Sequence, residues 1–184
     1  GYDNKIRNKK RRIITFKGKT IKNLKKITLT GVFSAMIFVL TMFVKVTVPS
    51  GYVHFGDAMI YVCAVLLGSP WAMIAGALGE GLADVAGGFA MYAPATVIIK
   101  VIIAFLFSLC KNENKLLTVK SGIMTLPAAL VTVGGYFAAD MIIDKSYAFV
   151  DIPGNIIQGV GSAVIFIVIA AMLDKAKIIK KVDL

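Results

Sequence analysis

Three carboxylates and one lysine stand out: Asp57, Glu80, Asp84 and Lys100 lie in a stretch, residues 54–100, that is otherwise almost wholly apolar or small. Ionisable groups in such surroundings are costly unless paired, and they mark functional positions by default. Glu80 and Asp84 are four apart, so on a helix both carboxylates share a face and repel unless one keeps its proton or a lysine answers them. Lys100 follows Pro94 by nearly two helical turns, roughly 10 Å into its segment. An ammonium there must meet an anion: Glu80, Asp84 or a bound solute. An ion or proton relay, an internal salt bridge and a polar recess for a small solute are all open. Further along, Tyr136 and Asp140 are also four apart, and Asn155 and Gln158 are three apart. Tyrosine faces stack flat heterocycles, and carboxamides offer donor and acceptor to ring nitrogens and hydroxyls. Covalent chemistry has little to work with. The single His54 has neither a spaced set of metal ligands nor Ser/His/Asp partners, so no catalytic residue, metal or cofactor is assigned. Cys63 and Cys110 fall in different apolar runs and read as buried bystanders.

The elements that must hold these groups are membrane spans. A hydrophobic share of 58% and a mean hydropathy of +0.80 exceed those of a soluble domain. With about 20 apolar residues per crossing, the chain reads as one all-α membrane bundle. Six helices are expected, over about 27–47, 55–67, 71–85, 94–109, 122–143 and 153–173. Pro49-Ser50-Gly51, Gly68-Ser69-Pro70 and Gly87-Gly88 break the first four, and Pro153 suits a helix start. Gly31 and Ala35, four apart on the first span, form a small-residue face on which another helix can pack closely. Residues 1–26 read as a basic, solvated cytoplasmic arm and 174–184 as a basic cytoplasmic tail. No cleavable leader precedes the first span, which would serve as its own insertion signal. Gly18-Lys19-Thr20 echoes a phosphate-binding loop, but Ile13 stands where that loop needs glycine. ATP is not bound there.

The charge of +11 is distributed as a membrane protein distributes it, not as a nucleic-acid groove. Of 21 lysines and arginines, 11 lie in 1–26, three in 111–120 and four in the tail, leaving Lys45, Lys100 and Lys145. The positive-inside rule then puts both termini in the cytoplasm. With that topology His54, Asp57, Asp84, Tyr92, Lys100, Tyr136, Asp140, Asn155 and Gln158 fall in the outer half, with Glu80 near the middle. One polar, aromatic-lined cavity opening outward accounts for this asymmetry.

HFGDA opening the second span, LLGSPWAMIAGALGEGLAD across the second and third, YAPATVIIK entering the fourth and PGNIIQG opening the sixth carry a resemblance. Over about 24–174 the chain resembles the S components of energy-coupling factor (ECF) vitamin transporters. The resemblance implies a six-helix binding protein in the plasma membrane of a bacterium. It would take a water-soluble vitamin or precursor from outside and work with a transmembrane coupling subunit and two ATPase subunits. By position it makes Tyr92, Lys100, Tyr136, Asp140, Asn155 and Gln158 substrate-binding candidates, and Gly31 and Ala35 contacts to the coupling subunit. His54, Asp57, Glu80 and Asp84 either line the pocket or fix helix packing. Among the family's substrates a pyrimidine precursor of thiamine is favoured, then pyridoxine, then riboflavin. The competing readings are a self-sufficient ion-coupled transporter using Glu80, Asp84 and Lys100, a lipid head-group enzyme, and a purely structural subunit.

Overall fold

The computed structural model describes the backbone of residues 2–48 and 51–182 and the side chains of 18, 20–46 and 53–182. It is mostly helical: α1 (Tyr2–Phe43), α2 (Gly56–Leu67), α3 (Trp71–Ala86), α4 (Ala93–Ser108), α5 (Val119–Ile143), α6 (Ile152–Lys175) and a short α7 (Ile178–Val182). A hairpin of β1 (Lys45–Val48) and β2 (Gly51–His54) joins α1 to α2, pairing Lys45 with His54 and Val46 with Val53. Pro49 and Ser50, read as a helix break, lie outside the described residues.

Two features depart from expectation, both for local reasons. The basic arm continues the first span as a single helix of 42 residues. Residues 2–43 contain no proline and are rich in lysine and arginine, which propagate a helix readily. The first span ends at Phe43 rather than near residue 47. Past it, Val44, Val46, Thr47 and Val48 are β-branched residues that favour an extended chain.

The helices are built inside out relative to a soluble bundle. On α5 the residues Val119, Ile123, Leu126 and Leu130 recur at helical spacing and stay exposed, Leu130 at 73%. The opposite face, Ser121, Thr125, Ala128 and Thr132, is small or polar and buried. Similar exposed apolar stripes run along α3 (Ile74, Leu78, Leu82, Val85) and α6 (Ile156, Val160, Val164, Ile167). Water would penalise such surfaces and a bilayer does not. The segment Thr20–Phe43 of α1, together with α5 and α6, is long and apolar enough to cross a membrane. This is a membrane protein.

All 12 residues of α2 are buried. Apolar on every side, it is a core helix by composition, and α1, α3, α4 and α6 pack around it. Tyr61 of α2 stacks on Phe107 of α4 at 4.1 Å between ring centroids, with Phe166 of α6 edge-on to both. Glycine permits a close crossing of α1 and α3. A Cβ at Gly79 of α3 would lie 2.6 Å from Ile37 Cγ2 and 2.9 Å from the Ser34 carbonyl oxygen of α1. Cys63 and Cys110 are buried free thiols.

Candidate functional site

At the end of the bundle where α3 and α5 finish and α4 and α6 begin, the helices splay around a cavity of about 650 Å³. The end of α3 supplies Asp84, and the following loop supplies Gly88, Phe89, Met91 and Tyr92. The last turns of α5 supply Tyr136, Asp140 and Ile143. Asp144, Tyr147 and Asp151 come from the connection to α6, and Asn155 from its first turn. Pro94 and Pro153 sit in the opening turns of α4 and α6, where a missing N–H costs nothing, and so place Tyr92 and Asn155 at the rim. The volume suits a drug-sized or vitamin-sized solute.

Asp140 is the best-buried acid of this wall, at 1% exposure. Its Oδ1 accepts a 2.8 Å hydrogen bond from the Tyr92 hydroxyl, while its Oδ2 has no hydrogen-bond partner among the described residues. The same is true of Asp84 Oδ2. Burial, then Asp140 itself, pushes the Tyr92 phenol up to about 12, so it stays a donor at neutral pH. The Ser146 hydroxyl and backbone N–H hold the Asp144 carboxyl below its usual range, and burial moves Asp151 the other way. The Tyr136 hydroxyl bonds Thr96 Oγ1 at 3.1 Å, fixing the ring at the cavity floor.

Behind that floor lies a second, closed cluster. Lys100 Nζ donates to Asp57 Oδ1 at 2.6 Å and stands 3.1 Å from Glu80 Oε2. All three residues are at most 2% exposed. Gln158 of α6 donates from Nε2 to Asp57 Oδ2 at 3.0 Å, and its Oε1 accepts the His54 backbone N–H at 2.9 Å. The network thus ties α2, α3, α4, α6 and the hairpin into one knot. Burial lowers the His54 pKa to about 4, leaving the imidazole neutral and Lys100 as the cluster's cation. His54, Asp57 and Glu80 bring one potential metal-ligand atom each within 4.8 Å of one another. The ammonium already supplies their positive charge, and a metal ion would have to displace it.

The six residues singled out as substrate-binding therefore separate. Tyr92, Tyr136, Asp140 and Asn155 line the cavity, whereas Lys100 and Gln158 belong to the knot beneath it. Lys100 remains within 5.4 Å of the Tyr136 ring centroid, so cavity wall and knot share one aromatic ring. Asp84, grouped in sequence with Glu80, faces the cavity instead. Asp144 and Asp151 line the cavity without being among the residues expected there, although both follow Asp140 closely in the sequence. Gly31 and Ala35 are exposed on α1, and none of the described residues comes within 4 Å of a Cβ built at Gly31.

Comparison with known proteins agrees with this architecture. Residues 21–175 match the family described as "ECF-type riboflavin transporter, S component". A curated Pyrococcus woesei protein, described as "Uncharacterized protein in gap 3'region", is 32% identical over 136 residues, covering 70% of this chain and 88% of that one. An apolar-faced helical bundle, a solute-sized cavity at one end and a family match over most of the chain converge: the protein belongs to the family of ECF-type transporter S components, vitamin-binding transporter subunits rather than enzymes.

Proposed function

We propose that this chain captures a flat, water-soluble vitamin or vitamin precursor from outside the cell in the cavity between Asp84, Tyr92, Tyr136, Asp140 and Asn155. It hands the solute on through a transmembrane coupling subunit driven by two ATPase subunits. It crosses the plasma membrane six times, with both termini cytoplasmic and the cavity facing outward. The observation that carries this reading is the composition of the cavity. Tyrosine faces that can stack a ring stand beside carboxylate and carboxamide groups that can bond its edge, within about 650 Å³. A pyrimidine precursor of thiamine or pyridoxine is favoured. Riboflavin, the solute in the family's description, is the competing ligand.

Mass spectrometry of small molecules co-purifying with the detergent-extracted protein tests the reading, followed by calorimetric titration of each compound found. A vitamin bound by the isolated chain, and taken up by vesicles only when coupling and ATPase subunits are present, is the expected result. Uptake by the chain alone that an uncoupler abolishes would instead establish the ion-coupled reading with Glu80, Asp84 and Lys100. One observation favours that alternative, the ionised cluster among α2, α3 and α4. Its closure against solvent and the position of Asp84 in the separate cavity weigh against it.

A further inference from the structure

The cavity has an electrical character opposite to that of the chain. In a protein of net charge +11, four of the ten acidic residues, Asp84, Asp140, Asp144 and Asp151, line this one recess. No lysine, arginine or histidine lines it among the described residues. A cluster of surface acids means little alone, because water and salt screen it. Two of these acids are different. Asp140 is all but sealed at 1% exposure, and its Oδ2 is buried and unbonded; Asp84 Oδ2 is likewise buried and unbonded among the described residues. A buried carboxylate oxygen without a donor is costly to leave so, and both stand at the wall of a space large enough to admit one. Tyr92 spends its hydroxyl on the other oxygen of Asp140, holding the carboxylate in place and leaving one acceptor for an incoming group. The Tyr136 ring, anchored by Thr96, offers a face to which cations are drawn.

Building on the solute-capture reading above, we propose that the ligand is a flat ring bearing a positive charge on or beside a nitrogen, with an N–H donor or cationic centre set against Asp140 and Asp84. Protonated amino-substituted pyridines and pyrimidines and quaternary azolium rings belong to this class. A neutral ring of the same size can donate hydrogen bonds to the two oxygens but leaves their charge uncompensated. A phosphorylated ring meets four carboxylates with its own negative charge.

The test compares ligands matched in shape on the unaltered chain in detergent at neutral pH. Pyridoxamine and pyridoxine share one ring and differ by an ammonium in place of a hydroxyl. Thiamine, riboflavin and thiamine monophosphate extend the series. Pyridoxamine is expected to bind about tenfold or more tighter than pyridoxine, and thiamine tighter than both riboflavin and its own phosphate ester. Asp140→Asn should erase the amine's advantage, bringing the pyridoxamine-to-pyridoxine affinity ratio to within about threefold of unity. Equal or tighter binding of the neutral compounds overturns the charge assignment and leaves vitamin capture standing. Stabilisation by Ca²⁺ alone, without discrimination between the two pyridines, overturns it in favour of a metal ion. A folded chain that binds none of the series, and carries no small molecule from the cell, overturns the capture reading itself. The pyridoxamine–pyridoxine comparison needs no variant, so a misfolded Asp140→Asn chain does not blunt it.

Discussion

Lys100 is the residue on which the core and the site most sharply diverge. Its ammonium sits between Asp57 and Glu80 with no solvent around it. Removing one partner of a buried ionic group leaves uncompensated charge, a loss of about 3–5 kcal/mol. Lys100→Met should therefore lower the thermal unfolding temperature strongly, read by intrinsic fluorescence in detergent. Weakened ligand affinity with unchanged stability would instead make Lys100 a ligand contact. Asn155, at the rim, should behave in the opposite way. Asn155→Ala removes one polar partner worth about 1 kcal/mol, so ligand affinity falls roughly fivefold by calorimetry while the unfolding temperature holds. His54 adds a pH dependence. The unfolded chain takes its proton near 6.5 and the folded one only near 4, because burial disfavours the charged ring. Between those values the unfolded state binds more protons, so stability is complete above 6.5 and declines as the pH falls towards 4. Asp57, Glu80, Lys45 and Lys100 are the charged groups that face the ring. The difference between wild type and His54→Gln isolates its share, and an identical acid profile for the two would remove it.

Among the elements, the close crossing of α1 and α3 carries a clear steric demand. Any side chain at Gly79 meets Ile37 and, less forgivingly, the Ser34 carbonyl of the neighbouring backbone. Gly79→Val should destabilise the bundle by about 1–3 kcal/mol, seen as a lowered midpoint in thermal unfolding. An unchanged midpoint would mean that α1 is free to move aside. Helices α2 to α6 were legible in the sequence because proline and glycine punctuate long apolar runs: Gly68 takes φ 77° at the end of α2, and Pro94 and Pro153 open α4 and α6. The hairpin was not legible as such. Val44 to Val48 is apolar as well as β-branched, so hydropathy continued the helix through it. Partner choice was hidden for a different reason. Periodicity places Glu80 and Asp84 on one helix face, but which of them meets Lys100 depends on how α2 inserts between α3 and α4. That insertion brings in Asp57, 43 residues away along the chain. Tyr92, Tyr136, Asp140 and Asn155 could be picked out as one group because they share the end of the bundle at which polar residues concentrate.

At the scale of the whole molecule, the bundle pairs a rigid centre with two surfaces of different use. The knot of Asp57, Glu80, Lys100 and Gln158 holds four helices and the hairpin, so the cavity above it rests on a floor that does not depend on ligand. The exposed stripes of α3, α5 and α6 carry large side chains suited to fluid acyl tails, whereas α1 differs at Gly31 and Ala35. There the helix backbone is uncovered on an outward face, and none of the described residues closes over Gly31. In a bilayer such a face gains most from another helix, whose backbone can approach where a lipid tail packs poorly. Gly31→Leu places a bulky group at that approach without touching any residue of the cavity or the knot. The variant should bind ligand within about twofold of wild type yet fail to co-purify with the proposed coupling and ATPase subunits. Full co-purification would assign the partner's contact to a different face. Loss of ligand binding as well would mean that α1 transmits strain to the cavity, joining the two surfaces that the geometry holds apart.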